Sequence, residues 1–348
     1  MEWVESVILY CLKKINNERT IYSVYHILKG KKSSQTIQDI HLYSLKRLFG
    51  VLEPLTRDSF EAIIHCMRDN GWIIEQGEQK YSLSSSGEQR LKNIGIPIFL
   101  NGWRYHQMTT IFWERLSLLV QVVSNLINQE PSYIPIQKNK KVLIWVKAVL
   151  KESHLSRNEI GEKLYEELNE CFEDGQEIDP SMIVFRLTGF RQIGLTAQQA
   201  SKKMNVNVYE YHLTFTNTLH YLIEKIETRG VNFPILTHLL KGLEHGDELT
   251  ITARKTWKLL SQGYSIEMIA KNRNLKTSTI EDHLVEFALQ IDQFSIDAFV
   301  DRELQLEILQ IANQAATKQL KLIREKVSRA SYFQIRLVLA KYGDRQWN

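Results

Sequence analysis

The stretch that most constrains the fold is Gln262 to Ile291, whose pattern predicts two short helices around a tight corner. Ser265 is a good N-cap for the first helix, and Thr277 or Ser278 can cap the second. Asn272–Asn274 ends the first helix, because Asn tolerates the left-handed conformation that a tight corner needs. The apolar residues fall at helical spacing on one face of each helix: Ile266, Ile269, Ala270, Ile280, Leu284, Phe287, Ala288 and Ile291.

An upstream helix completes the unit. Ala253, Trp257 and Leu260 recur at helical spacing just before the corner. Three helices arranged in this way form a helix-turn-helix, which offers one exposed helix to a groove of DNA or of a protein.

The same residues carry a resemblance. The segment Thr256–Leu284 resembles the helix-turn-helix domain at the C-terminus of some RecQ-type helicases, and the likeness continues through Gln334–Leu339.

Length and composition set the frame for the rest of the chain. A chain of 348 residues is expected to hold two or three domains. Its hydrophobic fraction of 43% and charged fraction of 24% are typical of a globular protein, and few Gly and Pro favour helices. The net charge of +4 is too small to indicate a nucleic-acid binder by itself.

No apolar run is long enough to span a bilayer, and the N-terminal residues predict an amphipathic helix rather than a signal peptide. We therefore expect a cytoplasmic, nucleoid-associated protein without membrane contact. Cys11, Cys66 and Cys171 are isolated, so the pattern predicts reduced thiols and neither a metal site nor a cofactor.

Residues 18–95 predict a winged helix, that is, three helices followed by a hairpin. Thr56 can cap the third helix, which ends at Asn70-Gly71. The segments Trp72–Ile74 and Tyr81–Leu83 predict two strands around Gln76-Gly77.

This block is similar to the winged helix that follows the motor in RecQ-type helicases. The matching parts are Leu28–Ile37, the corner Phe49–Val51, the helix Thr56–Met67 and the segment Leu83–Leu91. Two features of that family are missing from the sequence, namely a four-cysteine zinc module and a G-x-x-x-x-G-K loop for ATP. The wing tip Gln76–Gln79 has no aromatic residue, so the sequence does not support strand separation by a stacked tip.

Taken together, the fold class is predicted as mainly α, with an N-terminal winged helix carrying a small β-hairpin wing, a helical middle domain and a C-terminal helix-turn-helix domain. The predicted boundaries are 1–96, 97–243 and 244–348. A second helix-turn-helix is predicted at 185–226, because five positions match the first one at a constant offset of 69, although an ordinary helical hairpin stays open. The matched pairs are Gly194 with Gly263, Thr196 with Ser265, Asn205 with Asn274, Val206 with Leu275 and Tyr211 with Ile280.

The acid-rich stretch from 159 to 179 predicts a solvated helix plus a linker. An acidic surface that faces a partner is the alternative.

Three groups of residues are candidates for DNA contact. The first group listed below is a basic loop before a helix, and its positive side chains and the helix N-terminus suit a phosphate. A solvated lysine loop is the plainer interpretation of this group. Carboxylates at Glu281, Asp282 and Glu286 would repel phosphates beside the second group, so DNA contact and protein docking both stay open there. The groups are Lys29, Lys31, Lys32, Ser33 and Ser34, with Arg57 and Ser59 added by the winged-helix resemblance; Lys271, Arg273, Lys276, Thr277, Ser278 and Thr279; and Lys318, Lys321, Arg324 and Arg329.

The third group belongs to a basic C-terminal segment. From 313 to 348 there are eight basic residues and two acidic ones, an excess of 8 − 2 = +6. The other four basic residues are Lys326, Arg336, Lys341 and Arg345, and the acidic ones are Glu325 and Asp344.

The sequence predicts no catalysis. The ten histidines are scattered, with no H-E-x-x-H motif and no nucleophile signature. His283 on the last helix-turn-helix is interpreted as structural.

The order of the modules resembles the bacterial YpbB-like family, proteins that accompany a short RecQ-type helicase. That resemblance implies a non-catalytic accessory factor that supplies contacts to duplex or branched DNA for repair or recombination while the helicase supplies the motor. Two alternatives stay open, a helix-turn-helix transcriptional regulator and a scaffold that binds only proteins.

Overall fold

The computed structural model describes residues 2–173, 178–243, 245, 249–315 and 317–343. The protein is mainly helical, with 66% of the described residues in helices, and has a helix-turn-helix domain in its C-terminal part. Within the described residues there are eighteen α-helices and one two-stranded antiparallel sheet. The predicted fold class is confirmed.

The chain divides into two compact units. Unit 1 contains residues 1–7, 51–55 and 91–246, and unit 2 contains residues 8–50, 56–90 and 247–348. Unit 2 therefore combines an N-terminal and a C-terminal part of the chain. The predicted boundaries at 96 and 243 stay predictions.

The N-terminal elements follow the predicted order of a winged helix, with a 3-10 turn at Lys46–Leu48. They are α1 (Glu2–Ile15), α2 (Ile21–Lys29), α3 (Ser34–Leu42), α4 (Arg57–Asp69), β1 (Ile73–Gly77), β2 (Lys80–Leu83) and α5 (Ser85–Ile94).

Local chemistry explains these bounds. The Thr56 side chain accepts a hydrogen bond from the Ser59 backbone N–H and begins α4. The strands pair from Ile73 opposite Leu83 to Gly77 opposite Lys80, and Gln79 turns the hairpin with a positive φ of 59°.

The turn after α2 requires glycine at Gly30. This residue has φ +72°, and a Cβ atom there would lie 2.9 Å from the α-carbon of Gly50. Both the left-handed conformation and the close backbone approach exclude a larger residue. The basic loop (Lys29–Ser34) is thus held against the corner at Gly50.

The described residues in the C-terminal part of unit 2 form six helices. They are α13 (Ile251–Leu260), α14 (Ile266–Arg273), α15 (Thr277–Gln290), α16 (Arg302–Gln314), α17 (Leu320–Lys326) and α18 (Tyr332–Tyr342). Ser265 caps α14 as predicted by accepting from the Met268 N–H, whereas α14 continues through Arg273 and ends at left-handed Asn274. The predicted caps of α15 are wrong, since Lys276 is its N-cap residue and makes no side-chain cap bond.

Unit 1 is a helical assembly around one apolar core. Its helices are α6 (Gly102–Ile127), α7 (Lys140–Glu152), α8 (Arg157–Glu173), α9 (Ser181–Val184), α10 (Ala197–Lys203), α11 (Val208–Arg229) and α12 (Pro234–Leu240). Phe112, Leu116, Tyr211 and Phe233 are fully buried in this core. Of the acid-rich stretch, residues 174–177 lie outside the described residues.

The corner between α10 and α11 repeats local features of the corner between α14 and α15. Thr196 caps α10 with a capping box, and Asn205 adopts φ 53°, close to the 52° of Asn274. Tyr211 and Ile280, which correspond at the offset of 69, are both fully buried. These features support the second helix-turn-helix at 185–226, which stays a prediction.

A buried histidine makes unit 1 sensitive to acid. The Asn101 backbone N–H donates to Nδ1 of His220 at 3.0 Å, and Nε2 lies 3.1 Å from Thr109 Oγ1. Because Nδ1 accepts, the neutral ring carries its proton on Nε2. Burial lowers the pKa of His220 from 6.5 to about 3, and nearby His106 adds to this effect. Protonation of Nδ1 would therefore break the hydrogen bond from the Asn101 backbone N–H.

We expect this histidine to weaken the fold as the pH falls from about 6.5 towards 3, because only the unfolded chain then binds the proton. One such group lowers the free energy of unfolding by at most about 1.4 kcal/mol per pH unit, with no effect above that window. Urea unfolding of His220→Gln should show a shallower decline than the wild-type protein. Exposed His154→Gln is the control, and an equal change in both variants would contradict the assignment.

Candidate nucleic-acid interface

Helix α3 is the centre of unit 2. It packs on α2 from the N-terminal part and on α15 and α18 from the C-terminal part. Every residue from Thr36 to Leu42 is buried. Helix α3, which follows the basic loop, is therefore a buried helix of unit 2. The loop itself lies at the edge of the helix-turn-helix.

An arginine links the two parts of unit 2. Arg336 on α18 forms an ion pair with Asp282 on α15 at 2.7 Å, and its Nε donates to Gln38 Oε1 on α3 at 3.2 Å. The Arg336 side chain is only 21% exposed, so solvent screens these contacts weakly.

A second link uses Lys318, one of the predicted DNA contacts. Its backbone N–H donates to both carboxylate oxygens of Glu18 at 2.9 and 3.0 Å, and its ammonium donates to the Leu42 carbonyl. The same ammonium lies 5.2 Å from the ring centre of Tyr43. Lys318 is thus committed to holding the fold.

The basic loop contains two exposed lysines. Lys31 and Lys32 are exposed, and Lys29 is half-buried. Ser33 accepts from the Thr36 N–H at 3.3 Å and caps α3, and Ser34 is the first helical residue. The cationic part of the predicted phosphate site is accessible.

A cation at the start of α4 lies near the basic loop. The pKa of His26 is lowered by burial and then by the charges of Lys31 and Arg57, so both cations lie near the same ring. We name Lys31, Lys32 and Arg57 the cationic cluster.

Part of the charge at α4 is already engaged. The Arg57 guanidinium pairs with Glu61 at 2.8 Å, donates to the Tyr22 hydroxyl at 2.8 Å and lies 4.4 Å from the Tyr22 ring centre. The Ser59 backbone N–H is used by the Thr56 cap. Arg57 is therefore a positioned cation with a carboxylate beside it.

The cationic cluster adjoins the helix-turn-helix through Lys32. Burial raises the pKa of Glu286 on α15, and Thr250 and Lys32 partly offset that rise. The Glu286 carboxylate accepts from the backbone N–H and the hydroxyl of Thr250, which begins α13. Lys32 is therefore close to the junction of α13 and α15.

The first turn of α15 is the accessible part of the predicted recognition helix. Lys276, Thr277 and Ser278 are exposed, as is Lys271 on α14, whereas Thr279 is half-buried. Beyond that turn the helix is buried from His283 to Ala288.

Arg273 turns inward, away from its predicted role. Its guanidinium donates to the Thr252 carbonyl at 2.8 Å and to the Thr256 hydroxyl. Thr256 Oγ1 lies 2.8 Å from His283 Nδ1, so the three side chains form one internal network. Burial lowers the pKa of His283 to about 4. Arg273 ties α14 to α13.

Two of the three carboxylates expected on the outer face of α15 have internal partners. Glu286 is 6% exposed and holds Thr250, and Asp282 pairs with Arg336. The expectation that Glu286 lies on the outer face of α15 is therefore wrong, whereas Asp282 is partly exposed with its charge paired. The sequence could not show this, because Arg336 lies 54 positions along the chain from Asp282.

The basic C-terminal segment divides into two sets. Lys318 and Arg336 make the contacts described above, and the Lys341 ammonium donates to the Ile291 and Asp292 carbonyls after α15. Arg329 pairs with Glu303 at 3.3 Å and Glu307 at 2.6 Å on α16. Lys321, Arg324 and Lys326 are exposed on α17, with Arg324 4.4 Å from the Tyr332 ring centre. Arg345 and Asp344 lie outside the described residues.

Charge is distributed unequally between the units. By sequence, unit 2 carries 27 Lys and Arg against 21 Asp and Glu, a net charge of +6, and unit 1 carries 17 against 19, a net charge of −2. Residues 8–50 alone contain eight basic and two acidic residues. This N-terminal excess equals that of the C-terminal segment, and a running charge count along the sequence would have found it.

Two general properties of the described residues concern other kinds of site. No helix among them has the length and apolar character needed to cross a membrane. They also contain no group of three or more His, Cys, Asp or Glu side chains placed to hold a metal ion.

Comparison with known proteins agrees with this geometry. Residues 252–339, which run from α13 into α18, match a family described as a helix-turn-helix domain. Protein YpbB of Bacillus subtilis (strain 168) is 34% identical over 347 residues, covering 98% of each chain. No solved structure matches. The helix-turn-helix match suggests DNA binding, and neither match indicates a catalytic family.

Proposed function

The chain belongs to the family of Bacillus subtilis YpbB, and from that premise we propose that it is a non-catalytic DNA-binding accessory factor of a RecQ-type helicase. In this proposal the helicase hydrolyses ATP, and the chain supplies winged-helix and helix-turn-helix contacts in trans during DNA repair or recombination. The resemblance of both modules to those that flank RecQ-type motors supports the helicase as partner.

The proposal depends chiefly on the position of the basic loop beside the helix-turn-helix. Lys32 acts on Glu286 of α15, and α3 packs on the same helix. The elements that we propose for DNA contact, from both ends of the chain, thus belong to one unit of positive net charge. Tethering two weak sites in this way raises their effective concentration on one DNA molecule.

We assign the contacts to two sets of side chains. Lys31, Lys32 and Arg57 would hold the phosphate backbone, with Lys29 in support. Lys271, Lys276, Thr277 and Ser278 would approach a neighbouring segment of DNA. Phosphate contacts position a protein without reading sequence, so we expect little sequence preference.

DNA binding over a salt series tests this function. Forked DNA and plain duplex of equal length should be compared with and without the RecQ-type helicase. We expect affinity to fall linearly on logarithmic axes, with a slope of about 0.9 per phosphate contacted, and to rise with helicase present. A preferred base sequence would instead favour a transcriptional regulator. No DNA affinity at low salt would leave only a protein scaffold.

A further inference from the structure

An apolar groove crosses the surface of unit 1. Helices α6, α8 and α9 enclose about 510 Å³, lined by Leu116, Val123, Leu164, Phe172, Ile183 and Leu187 among others. Along α6 the lining runs from Leu116 to Asn128, a distance of about 18 Å at about 1.5 Å per residue. The groove therefore matches about three turns of a helix in length.

The lips of the groove are apolar and open to solvent. Tyr165 is 71% exposed, Val184 is 55% exposed and Ile127 is 39% exposed. Large apolar side chains grouped around a groove are typical of a surface that binds another protein.

The amide side chains and the serine hydroxyl in the lining are already engaged. Ser124 Oγ accepts from the Phe190 N–H at 2.9 Å, Asn128 donates to the Ser124 carbonyl at 2.8 Å, and Asn169 donates to Glu173 at 2.8 Å. A small polar ligand is usually oriented by a few convergent polar groups. This lining favours an apolar face instead.

One edge of the groove is acidic. Glu162, Glu166 and Glu173 are exposed, and each lies three or four residues along α8 from Tyr165 or Asn169, which line the groove. Residues 157–173 carry two basic and six acidic side chains, a net charge of 2 − 6 = −4. Lys163 on the same helix interacts with Glu159 and Glu167.

We propose that this groove binds an amphipathic helix of a partner protein, with an apolar stripe in the groove and lysines or arginines along the α8 edge. The apolar walls provide burial and the glutamates fix the direction of the bound helix. The same carboxylates repel nucleic acid and anionic membrane. This inference goes beyond the proposed function, since it holds for any partner that carries such a helix.

A designed peptide tests the proposal with the full chain. The probe is an 18-residue fluorescein-labelled helix with leucines at i, i+4, i+7 and i+11, lysines along one edge, and alanines elsewhere. We expect saturable binding by fluorescence anisotropy. The peptide with glutamines in place of the lysines should bind roughly tenfold more weakly, and one with glutamates more weakly still.

Surface variants locate the binding site. Tyr165→Lys combined with Val184→Lys should weaken binding roughly tenfold or more, because it places charge on the apolar lips. The matched control is Ile144→Lys with Ile193→Lys, whose positions are 69% and 83% exposed outside the groove lining, and it should bind within about twofold of wild type.

Edge variants test the charge. Glu162→Gln with Glu166→Gln should abolish the preference for the lysine peptide over the glutamine peptide, and Glu170→Gln should keep it.

Equal affinity for lysine and glutamate peptides, no saturable binding, or full binding by the lip variant would each overturn the proposal. So would a dimer of this chain that Val184→Lys dissociates, since the occupant would then be a second copy. No DNA is used, so failure here leaves the proposed DNA contacts standing.

Discussion

Changing Lys29, Lys31 and Lys32 to Glu should lower affinity for DNA by about 100-fold or more near 100 mM salt. The change removes three positive charges from the basic loop and adds three negative ones beside Arg57, so attraction of phosphate becomes repulsion. The logarithmic salt slope should also fall by about two to three. Fluorescence anisotropy with a labelled fork measures both quantities.

Two controls make this result specific. Lys138, Lys140 and Lys141, all exposed in unit 1, give the same change of net charge when replaced by Glu. That variant should lose less than about threefold in affinity, because these residues lie outside the cationic cluster. The variant with Lys→Gln at 29, 31 and 32 removes the positive charges without adding carboxylates. Reduced DNA affinity in this variant as well would show that the loss is not caused by misfolding from repulsion by Glu286. We expect the Glu variant to keep its binding to the helicase and to lose its binding to DNA. Loss of helicase binding with DNA binding kept would place the helicase on the basic loop.

Replacing Arg336 with Met should lower the free energy of unfolding by about 2 kcal/mol. The variant keeps the aliphatic bulk but leaves the Asp282 carboxylate without its cation at 2.7 Å and Gln38 without its donor at 3.2 Å. The expected loss is moderate because the Asp282 side chain is 34% exposed and water can partly solvate it. Urea unfolding followed by circular dichroism measures the loss.

The matched control for this change is Arg324→Met. Arg324 is exposed on α17 and lies over the Tyr332 ring, so its replacement should cost less than about 1 kcal/mol. A double-mutant cycle with Asp282→Asn isolates the ion pair. Additive losses from Arg336→Met and Asp282→Asn would mean that the pair does not couple α15 to α18.

Local signals in the sequence predicted the elements well. Thr56 and Ser265 cap their helices, Asn274 forms the left-handed corner, and the apolar faces of α4 and α15 are buried. Each of these features depends on backbone and side-chain preferences within a turn or two, so sequence alone specifies them. The predicted cap of α15 was wrong because capping preference favours Thr277 or Ser278, whereas Lys276 is the N-cap residue and makes no side-chain cap bond.

Predicting the candidate site from sequence was harder. Of the predicted contacts, Lys31, Lys32, Lys271, Lys276, Thr277, Ser278, Lys321 and Arg324 are exposed, and Arg329 is exposed in surface ion pairs with Glu303 and Glu307. Arg273 and Lys318 have internal partners instead. A count of charge along the C-terminal segment treated these residues alike. The internal role of Lys318 depends on the Leu42 carbonyl, which lies far along the chain from it.

The sequence by itself determined the helices, the hairpin and the helix-turn-helix corner. These features depend on short-range backbone preferences and apolar periodicity, and both are properties of neighbouring residues. Only the tertiary structure decided that α3 is buried between the two ends of the chain, and therefore which cations stay exposed. The physical reason is that the free energy of a charged side chain depends on burial and on partners far away in sequence. The Lys318 ammonium finds the Leu42 carbonyl across 276 positions, and no local pattern encodes that distance.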